Sequence, residues 1–226
     1  MIYHLRGDEF RVTVEQLEKL ITPRTKMIIL NSPHNPCGSC LTLEDLKGIA
    51  EIASKHNLLV LSDEIYYKII YDEEHGSMAS LPEMMERTII INGFSKTYAM
   101  TGWRLGYAIA KKWITDKLVK LQINMNSCPT ALAQIAAIQA LKGPQEHVKE
   151  MVGEYRRRRD LMVEGLNRID GVSCLKPSGA FYAFPNVKSF RIKSKSLMQY
   201  LLVKAGLAVL HGDAFGSYGE GYLRLS

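Results

Sequence analysis

Long apolar runs are missing from this sequence. No stretch approaches the ~18 to 20 consecutive apolar residues that a transmembrane helix requires. The first six residues, MIYHLR, also lack the apolar segment of a secretory signal. We therefore expect no membrane span and a cytoplasmic protein. Internal repeats and low-complexity tracts are absent too, and 46% hydrophobic residues are enough to build a buried core, so we expect a chain that is folded throughout.

Cysteine is scarce, with four residues in 226. Cys37 and Cys40 have CxxC spacing, but a structural zinc site needs a second pair of ligands nearby, and a redox pair needs a thioredoxin-like setting. Cys128 and Cys174 stand far apart in the sequence, so they do not form such a second pair. We expect reduced thiols and no metal site.

Acidic residues are the minority among the charged ones, and the formal net charge is +6. A basic excess is compatible with nucleic-acid binding, but the basic residues concentrate at 156–159 and 191–195 without the interleaved aromatic residues on which bases stack. We interpret the basic stretch at 156–159 as a solvated helix face and expect no nucleic-acid partner. A moderate positive charge also suits a protein that binds phosphate and carboxylate groups.

Helices and apolar runs alternate in the first part of the chain. Thr13 with Gln16, and Thr42 with Asp45, have the spacing of a capping box and predict helices that run to about residues 22 and 56. Apolar runs predict strands at 26–31, 58–62, 88–92 and 104–110. This alternation predicts an α/β fold with a three-layer, mostly parallel sheet that helices cover on both faces.

The pattern changes after about residue 128. An Ala-rich helix is predicted at 129–142, and Gly143-Pro144 ends it. Apolar residues from 145 to 168 keep helical spacing and predict one long helix. Short strands at 180–184 and 222–225 and a helix at 194–205 then form a small α+β domain. We therefore predict a partial large domain at residues 1–144, and a long helix with a small C-terminal domain at residues 145–226.

Polar side chains follow the predicted strands, where ligands gather in open α/β sheets. Asn35 follows the first strand, Asp63 and Tyr66 follow the second, and Lys96 and Arg104 follow the third. Taken singly, each has an ordinary structural interpretation. Asn-Pro-x-Gly is a common turn, an acid at a strand end is commonly a cap, and most lysines are solvated. Together they are candidate site residues.

The segment from Gly93 to Gly106, GFSKTYAMTGWRLG, resembles the lysine signature of the class I and II aminotransferases, which are fold type I pyridoxal-phosphate (PLP) enzymes. Three further segments resemble other landmarks of the family in the same order: NPCG at 35–38, SDEIY at 62–66 and YLRLS at 222–226. The similarity extends over nearly the whole chain. It implies the PLP-dependent transferase fold and a homodimeric aminotransferase that moves an amino group between an L-amino acid and a 2-oxo acid.

The resemblance assigns the cofactor chemistry to two residues. Lys96 would hold PLP as a Schiff base and, once the substrate amine displaces it, would move a proton between substrate and cofactor. Asp63 would pair with the pyridine nitrogen of PLP, and its negative charge would keep that nitrogen protonated. The ring would then act as an electron sink.

Four more residues receive roles from the resemblance. Tyr66 and Asn35 would hydrogen-bond the phenolic oxygen of PLP, which makes Tyr66 the third catalytic residue beside Lys96 and Asp63 and places Asn35 on the substrate side as well. Arg104 would bind the cofactor phosphate and Arg224 the substrate α-carboxylate, a task that suits a guanidinium fork. For Tyr182, in the SGAFY segment, a packed aromatic residue and a residue near the substrate are equally good interpretations.

The resemblance begins in the middle of the family's chain. The family's N-terminal segment carries a phosphate loop, an aromatic residue stacked on the cofactor and much of the dimer contact, and it has no counterpart after Met1. Two alternatives therefore stand beside the aminotransferase: a non-catalytic truncated chain that serves as an interaction module, and a PLP-dependent lyase on the same scaffold. The donor amino acid also stays open among aspartate, aromatic amino acids and alanine.

Overall fold

The structure is a computed structural model that describes residues 10–72 and 74–226. Its helices are α1 (Val14–Leu20), α2 (Leu43–Lys55), α3 (Lys112–Asn126), α4 (Ala131–Lys142), α5 (Glu146–Asn167) and α6 (Ser194–Ala205). Its strands are β1 (Met27–Asn31), β2 (Leu59–Asp63), β3 (Thr88–Gly93), β4 (Gly106–Ile109), β5 (Leu210–His211) and β6 (Leu223–Arg224). Short 3₁₀ helices occupy Met78–Ser80, Met84–Glu86, Thr101–Trp103, Lys188–Phe190, Gly212–Phe215 and Ser217–Gly219.

The first two helices begin with the predicted capping boxes. The Gln16 amide donates to Thr13 Oγ1 at 3.3 Å, and the Thr13 amide donates to the Gln16 side chain at 3.4 Å. At α2 the Asp45 amide donates to Thr42 Oγ1 at 3.1 Å, and the Thr42 amide donates to Asp45 Oδ2 at 2.8 Å. Each box satisfies two backbone amides that have no partner within the helix.

One four-stranded sheet, in the order β1-β2-β3-β4, forms the centre of the first part of the chain. The first three strands are parallel and β4 runs antiparallel to β3. Asn31 pairs with Asp63, and Asp63 pairs with Ile91, so the carboxyl ends of the three parallel strands lie at the same end of the sheet. The mostly parallel sheet is confirmed, whereas the reversed direction of its fourth strand was not predicted.

One face of the sheet packs against α2. Leu30 and Val60 of the strands share a cluster with Ile49 and Ala53 of α2, and each of these side chains is at most 1% exposed. On the opposite face, Ile29 is 63% exposed. The described residues therefore leave that face open at β1, although the continuous apolar run predicted burial on both faces.

The other end of the sheet packs against α4. Ala137 of α4 lies in a cluster with Phe94 and Met100, which belong to the loop after β3. The helix α3 was not predicted. Its N-cap residue, Lys111, makes no side-chain capping bond, so the usual start signal is absent from the sequence.

The last third of the chain is organised by α5 and α6. The predicted long helix and the predicted helix at 194–205 are confirmed as α5 and α6. Val163 of α5 packs with Cys174 and Ala183, and Leu197 of α6 packs with Leu223 of β6. Among the helices of the described residues, none combines the length and the apolar character that crossing a bilayer requires.

The predicted strand at 180–184 is wrong. Ala180 has a left-handed φ of 56°, and Ala180 and Phe181 form a turn. The segment reaches extended pairing only at Ala183, which makes an isolated bridge with Leu225. An apolar segment of five residues does not distinguish a strand from a packed turn, because both bury the same side chains.

Candidate active site

Asp63 is the last residue of β2 and lies at the carboxyl end of the sheet. Its Oδ1 accepts a hydrogen bond from the Ile65 amide at 3.2 Å, and its carbonyl accepts one from Asn31 Nδ2 at 3.3 Å. Partial burial raises the pKa of the Asp63 carboxyl. Among the described residues no cation pairs with the Asp63 carboxylate.

Tyr66 follows Asp63 in the turn after β2 and is 3% exposed. Its hydroxyl lies 2.6 Å from the Tyr182 hydroxyl, and the two rings meet edge to face at 5.7 Å. Burial and then the neighbouring Tyr182 hydroxyl raise the pKa of Tyr66, while Arg224 acts in the opposite direction. Tyr66 is therefore held as a neutral phenol, which donates one proton in a hydrogen bond.

Asn35 and Arg224 come together although 189 positions separate them in the sequence. Arg224 Nη1 donates to Asn35 Oδ1 at 2.9 Å, and the Asn35 amide donates to Asn31 Oδ1 at 2.8 Å. The guanidinium carbon lies 4.6 Å from the centre of the Tyr182 ring and 5.1 Å from that of Phe215. Within the described residues Arg224 has no carboxylate partner, and its buried Nε has no hydrogen-bond acceptor.

Lys96 lies on the loop after β3, beside the same aromatic cluster. Its Nζ is 5.5 Å from the centre of the Phe181 ring, and Phe181 in turn meets the Tyr66 ring edge to face at 5.4 Å. The ammonium makes no hydrogen bond or ion pair to any side chain in the described part of the chain. Phe181 thus contacts both the Lys96 ammonium and the Tyr66 ring.

Among residues 10–72 and 74–226, no hydrogen bond, ion pair or ring contact joins Arg104 to this cluster. Arg104 is exposed, it has a left-handed φ of 52°, and its Nη1 donates to the Thr101 carbonyl at 2.8 Å. It lines an open cleft of about 890 Å³ together with Trp103, Asn126 and Thr130. The structure thus brings together Asn35, Asp63, Tyr66, Lys96 and Arg224, and leaves Arg104 in its own loop.

The aromatic pair Phe181 and Tyr182 connects the site, and reasoning from the sequence missed Phe181 and left Tyr182 undecided. Both residues also line a cavity of about 390 Å³ beside α5, which includes Tyr71 and Arg159. The only signal in the sequence was the SGAFY segment itself. Aromatic residues in such a segment are ordinary core residues. The pattern therefore could not reveal that this pair contacts Tyr66, Lys96 and Arg224.

The CxxC residues lie near the site but do not form it. Among the described residues, Cys37 and Cys40 are buried and not joined by a disulfide, and burial raises the pKa of the Cys37 thiol to about 12. A thiol with such a pKa carries almost no thiolate at neutral pH, so it is a poor nucleophile and metal ligand.

Comparison with known proteins identifies the family. The family model described as aminotransferase class I and II matches residues 1–226. An aspartate aminotransferase of Pyrococcus abyssi is 49% identical over 222 residues, which cover 97% of this chain and 57% of that protein. The aromatic-amino-acid aminotransferase 2 of Thermococcus litoralis is 46% identical over 222 residues, covering 97% of this chain and 57% of that protein.

Solved structures agree with this assignment. The crystal structure of an aromatic aminotransferase from Pyrococcus horikoshii superposes with a TM-score of 0.94 at 48% identity, and the match covers 97% of this chain and 59% of that one. An aspartate aminotransferase from Rhizobium meliloti gives a TM-score of 0.91 at 39% identity, covering 96% of this chain and 57% of that one. This chain therefore spans about 57% of the length of these relatives. The chain belongs to the class I and II aminotransferases, a family of PLP-dependent enzymes.

Proposed function

We propose that this chain provides the PLP and substrate-binding residues of an aminotransferase that moves an amino group between an L-amino acid and a 2-oxo acid. One observation carries the proposal. Within the described residues, a guanidinium without an anionic partner (Arg224) and an amine with no side-chain hydrogen bond (Lys96) flank one aromatic cluster. A carboxylate without a cationic partner (Asp63) lies close enough to Tyr66 of that cluster to raise the pKa of the Tyr66 hydroxyl. This set of groups is complementary to a cationic pyridine ring, a carboxylate and an aldehyde.

The residues present fit PLP, which supplies an electron sink when it is bound. Lys96 would hold the aldehyde carbon covalently, and Asp63 would pair with the ring nitrogen. Tyr66 and Asn35 would donate to the phenolic oxygen, and Arg104 would bind the phosphate from its loop. The exposed Arg104 is compatible with this role because its guanidinium has a single hydrogen bond, to Thr101, within the described residues.

The electrostatics of Asp63 support its part in this proposal. In the protein alone, burial raises the pKa of the Asp63 carboxyl and so favours its neutral form. A protonated ring nitrogen beside it would supply the opposite charge that the described residues do not provide. The carboxylate would then hold that proton in place, because an ion pair stabilises both charged forms.

The surroundings of Arg224 favour the binding of a carboxylate. Its contacts with the Tyr182 and Phe215 rings fix the guanidinium plane, and Asn35 holds one of its nitrogens. A guanidinium that is already oriented loses little entropy when it binds a carboxylate in bidentate fashion. We propose the α-carboxylate of the amino acid and of the 2-oxo acid as its ligand. Once the amine of Lys96 is free, it would move the proton at the substrate α-carbon.

We also propose that the active protein is a cytoplasmic homodimer. Large apolar side chains are exposed on α3 and α4, including Met125 at 74% and Leu132 at 76%. Exposed apolar surface of this kind is typical of an interface. The relatives named for aspartate and aromatic amino acids support an amino-acid donor but do not choose its side chain.

The first test is the imine absorption band that appears when PLP reacts with a lysine amine. Adding PLP to the purified protein should produce the band, and Lys96→Ala should remove it. Lys68→Ala is a matched control, because Lys68 is an exposed lysine whose Nζ also lies 5.4 Å from an aromatic ring, that of Tyr67. A band that survives in the Lys96 variant would disprove the role of Lys96, and no band in the parent would favour the non-catalytic alternative.

Product analysis separates the remaining alternatives. An aminotransferase leaves the cofactor in its amine form and releases a 2-oxo acid, whereas a lyase releases ammonia and restores the original band. Asp63→Ala should keep the band but lose turnover by at least about 100-fold, because the ring nitrogen loses its charge partner. Undiminished transamination in that variant would contradict the role of Asp63.

A further inference from the structure

One side chain, Tyr182, touches two groups that act on different molecules. Its hydroxyl lies 2.6 Å from that of Tyr66, which we assign to the cofactor, and its ring lies 4.6 Å from the guanidinium carbon of Arg224, which we assign to the substrate. Tyr182 is 7% exposed. Nothing in the proposed chemistry requires it to react, so its contacts rather than its reactivity indicate what it does.

The backbone that carries Tyr182 is fixed to the rest of the site. The Gly179 amide donates to the Gly38 carbonyl at 2.8 Å, and the Ala180 amide donates to the Ile69 carbonyl at 2.8 Å. Gly38 belongs to the turn that carries Asn35, and Ile69 belongs to the turn that carries Tyr66. A Cβ atom at Gly179 would lie 2.7 Å from Pro33 Cγ, so the approach of the two segments leaves no space for a side chain there. Tyr182 is therefore held in place by the same turns that hold the groups it touches.

We propose that Tyr182 is a positioning residue with two roles. Its hydroxyl orients the Tyr66 hydroxyl toward the cofactor, and its ring holds the Arg224 guanidinium in position to bind the substrate carboxylate. The proposal rests on the proposed function. Each phenol has one proton to donate. If Tyr66 gives its proton to the phenolic oxygen of PLP, the 2.6 Å contact requires Tyr182 to be the donor to the Tyr66 oxygen.

This direction of donation has a measurable consequence. A hydrogen bond received by the Tyr66 oxygen polarises its O–H and makes it a stronger donor. A stronger donor stabilises negative charge on the phenolic oxygen of PLP and so weakens the hold of that oxygen on the imine proton. Removing the Tyr182 hydroxyl should therefore raise the pH midpoint at which the imine band changes.

The experiment is a pH titration of the imine band in four proteins: the parent, Tyr182→Phe, Tyr66→Phe and the double variant. Tyr182→Phe should raise the midpoint by roughly 0.1 to 0.6 unit, since polarisation along a chain changes a hydrogen bond to a charged group by ~10–30%. In the Tyr66→Phe background the same substitution should have no effect, because the hydroxyl through which it acts is gone. Tyr200→Phe, at a 61% exposed position on α6, is the matched control and should leave the midpoint unchanged.

A second substitution tests the ring separately from the hydroxyl. Tyr182→Phe keeps the aromatic face under Arg224 and should leave KM for the amino acid nearly unchanged. Tyr182→Leu removes that face and should raise KM by about 2- to 30-fold, the range of a cation–π contact. Loss of a packing residue alone would lower thermal stability without separating KM from the pH midpoint in this way.

The outcomes are distinct. A midpoint that does not move in Tyr182→Phe, or moves equally in both backgrounds, overturns the role of Tyr182 while leaving the cofactor site intact. Equal KM values for the Phe and Leu variants overturn its role toward Arg224. Absence of the imine band from the parent overturns the proposed function itself, and the role of Tyr182 with it.

Discussion

Two regions of this molecule use similar apolar side chains in opposite ways. Where β1 and β2 pack on α2, Leu30, Ile49 and Val60 are at most 1% exposed. On α4, Leu132 and Ile135 are 76% and 65% exposed. The first region, which we call the closed region (β1, β2 and α2), buries the sheet face that packs on α2, with further side chains from α1 and from the 3₁₀ helices at 78–86 in the same core. The second, the open region (α3 and α4), presents apolar surface outward.

The residues of the candidate site are divided between these two regions. Asp63 ends a strand of the closed region, whose packing determines the position of its carboxylate. Lys96 and Arg104 lie on the loop that leads to the open region, and among the described residues the Arg104 guanidinium hydrogen-bonds only within that loop. Asp63 thus rests on a buried core, while Arg104 lies beside apolar surface that the described residues leave exposed, including Leu132.

The largest loss of stability should come from truncating a buried side chain of the closed region. Ile49→Ala should lower the free energy of unfolding by about 2–5 kcal/mol, because it removes buried methyl groups and leaves a cavity beside Leu30 and Val60. Denaturant unfolding followed by circular dichroism measures this change. A loss below about 1 kcal/mol would mean that the core of this region is looser than the structure shows.

The second largest loss of stability should come from lowering the pH. His34 follows β1, burial lowers its pKa to about 4, and its Nδ1 has no hydrogen-bond partner within the described residues. His34 binds a proton near pH 6.5 in the unfolded chain but only near pH 4 in the folded chain. The free energy of unfolding is therefore highest above pH 6.5 and falls as the pH drops toward 4. Between pH 7 and pH 5 the loss should be about 2 kcal/mol.

The pH effect can be assigned to His34 by substitution. In His34→Gln, unfolding curves at pH 7 and pH 5 should differ by much less than in the parent. His147→Gln is the control, because the His147 side chain on α5 is 88% exposed. An acid loss of the same size in His34→Gln as in the parent would show that other groups cause it.

The helix caps should give a smaller effect. Thr42→Ala removes the hydroxyl that accepts from the Asp45 amide and should lower the free energy of unfolding by about 1 kcal/mol. Lys111, the N-cap of α3, makes no side-chain capping bond, so Lys111→Ala removes only an exposed ion pair with Glu86 and should have less effect. Equal losses in the two variants would contradict the difference in capping between the regions.

The smallest effect is expected on the open surface. Ile135→Ala should change the free energy of unfolding of the isolated chain by less than about 0.5 kcal/mol, because the side chain is already exposed. If the loss instead matched that of Ile49→Ala, the surface would be buried in an assembly. Repeating the measurement over a range of protein concentrations then separates association from folding, since only association depends on concentration.

Local signals in the sequence predicted the parts of the fold that depend on neighbours in the chain. The boxes at Thr13 and Thr42 act over three residues, and both helix starts were confirmed. The strand at 88–92 was recognised from its continuous apolar run. Failures occurred where a distant partner decides. Nothing near 104–110 indicates that β4 runs antiparallel, and the helix α3 lacks a start signal.

The sequence by itself determined the identity of the candidate groups, because Asn35, Asp63, Tyr66, Lys96 and Arg224 could be named from motifs whose chemistry each residue type carries. Only the tertiary structure decided which of them meet. The bond between Asn35 and Arg224 joins positions 189 residues apart, and the contact between Tyr66 and Tyr182 joins positions 116 apart. The physical reason is that periodicity and capping act over a few residues, whereas these contacts exist only once the sheet, α5 and the turn at Gly179 have packed together.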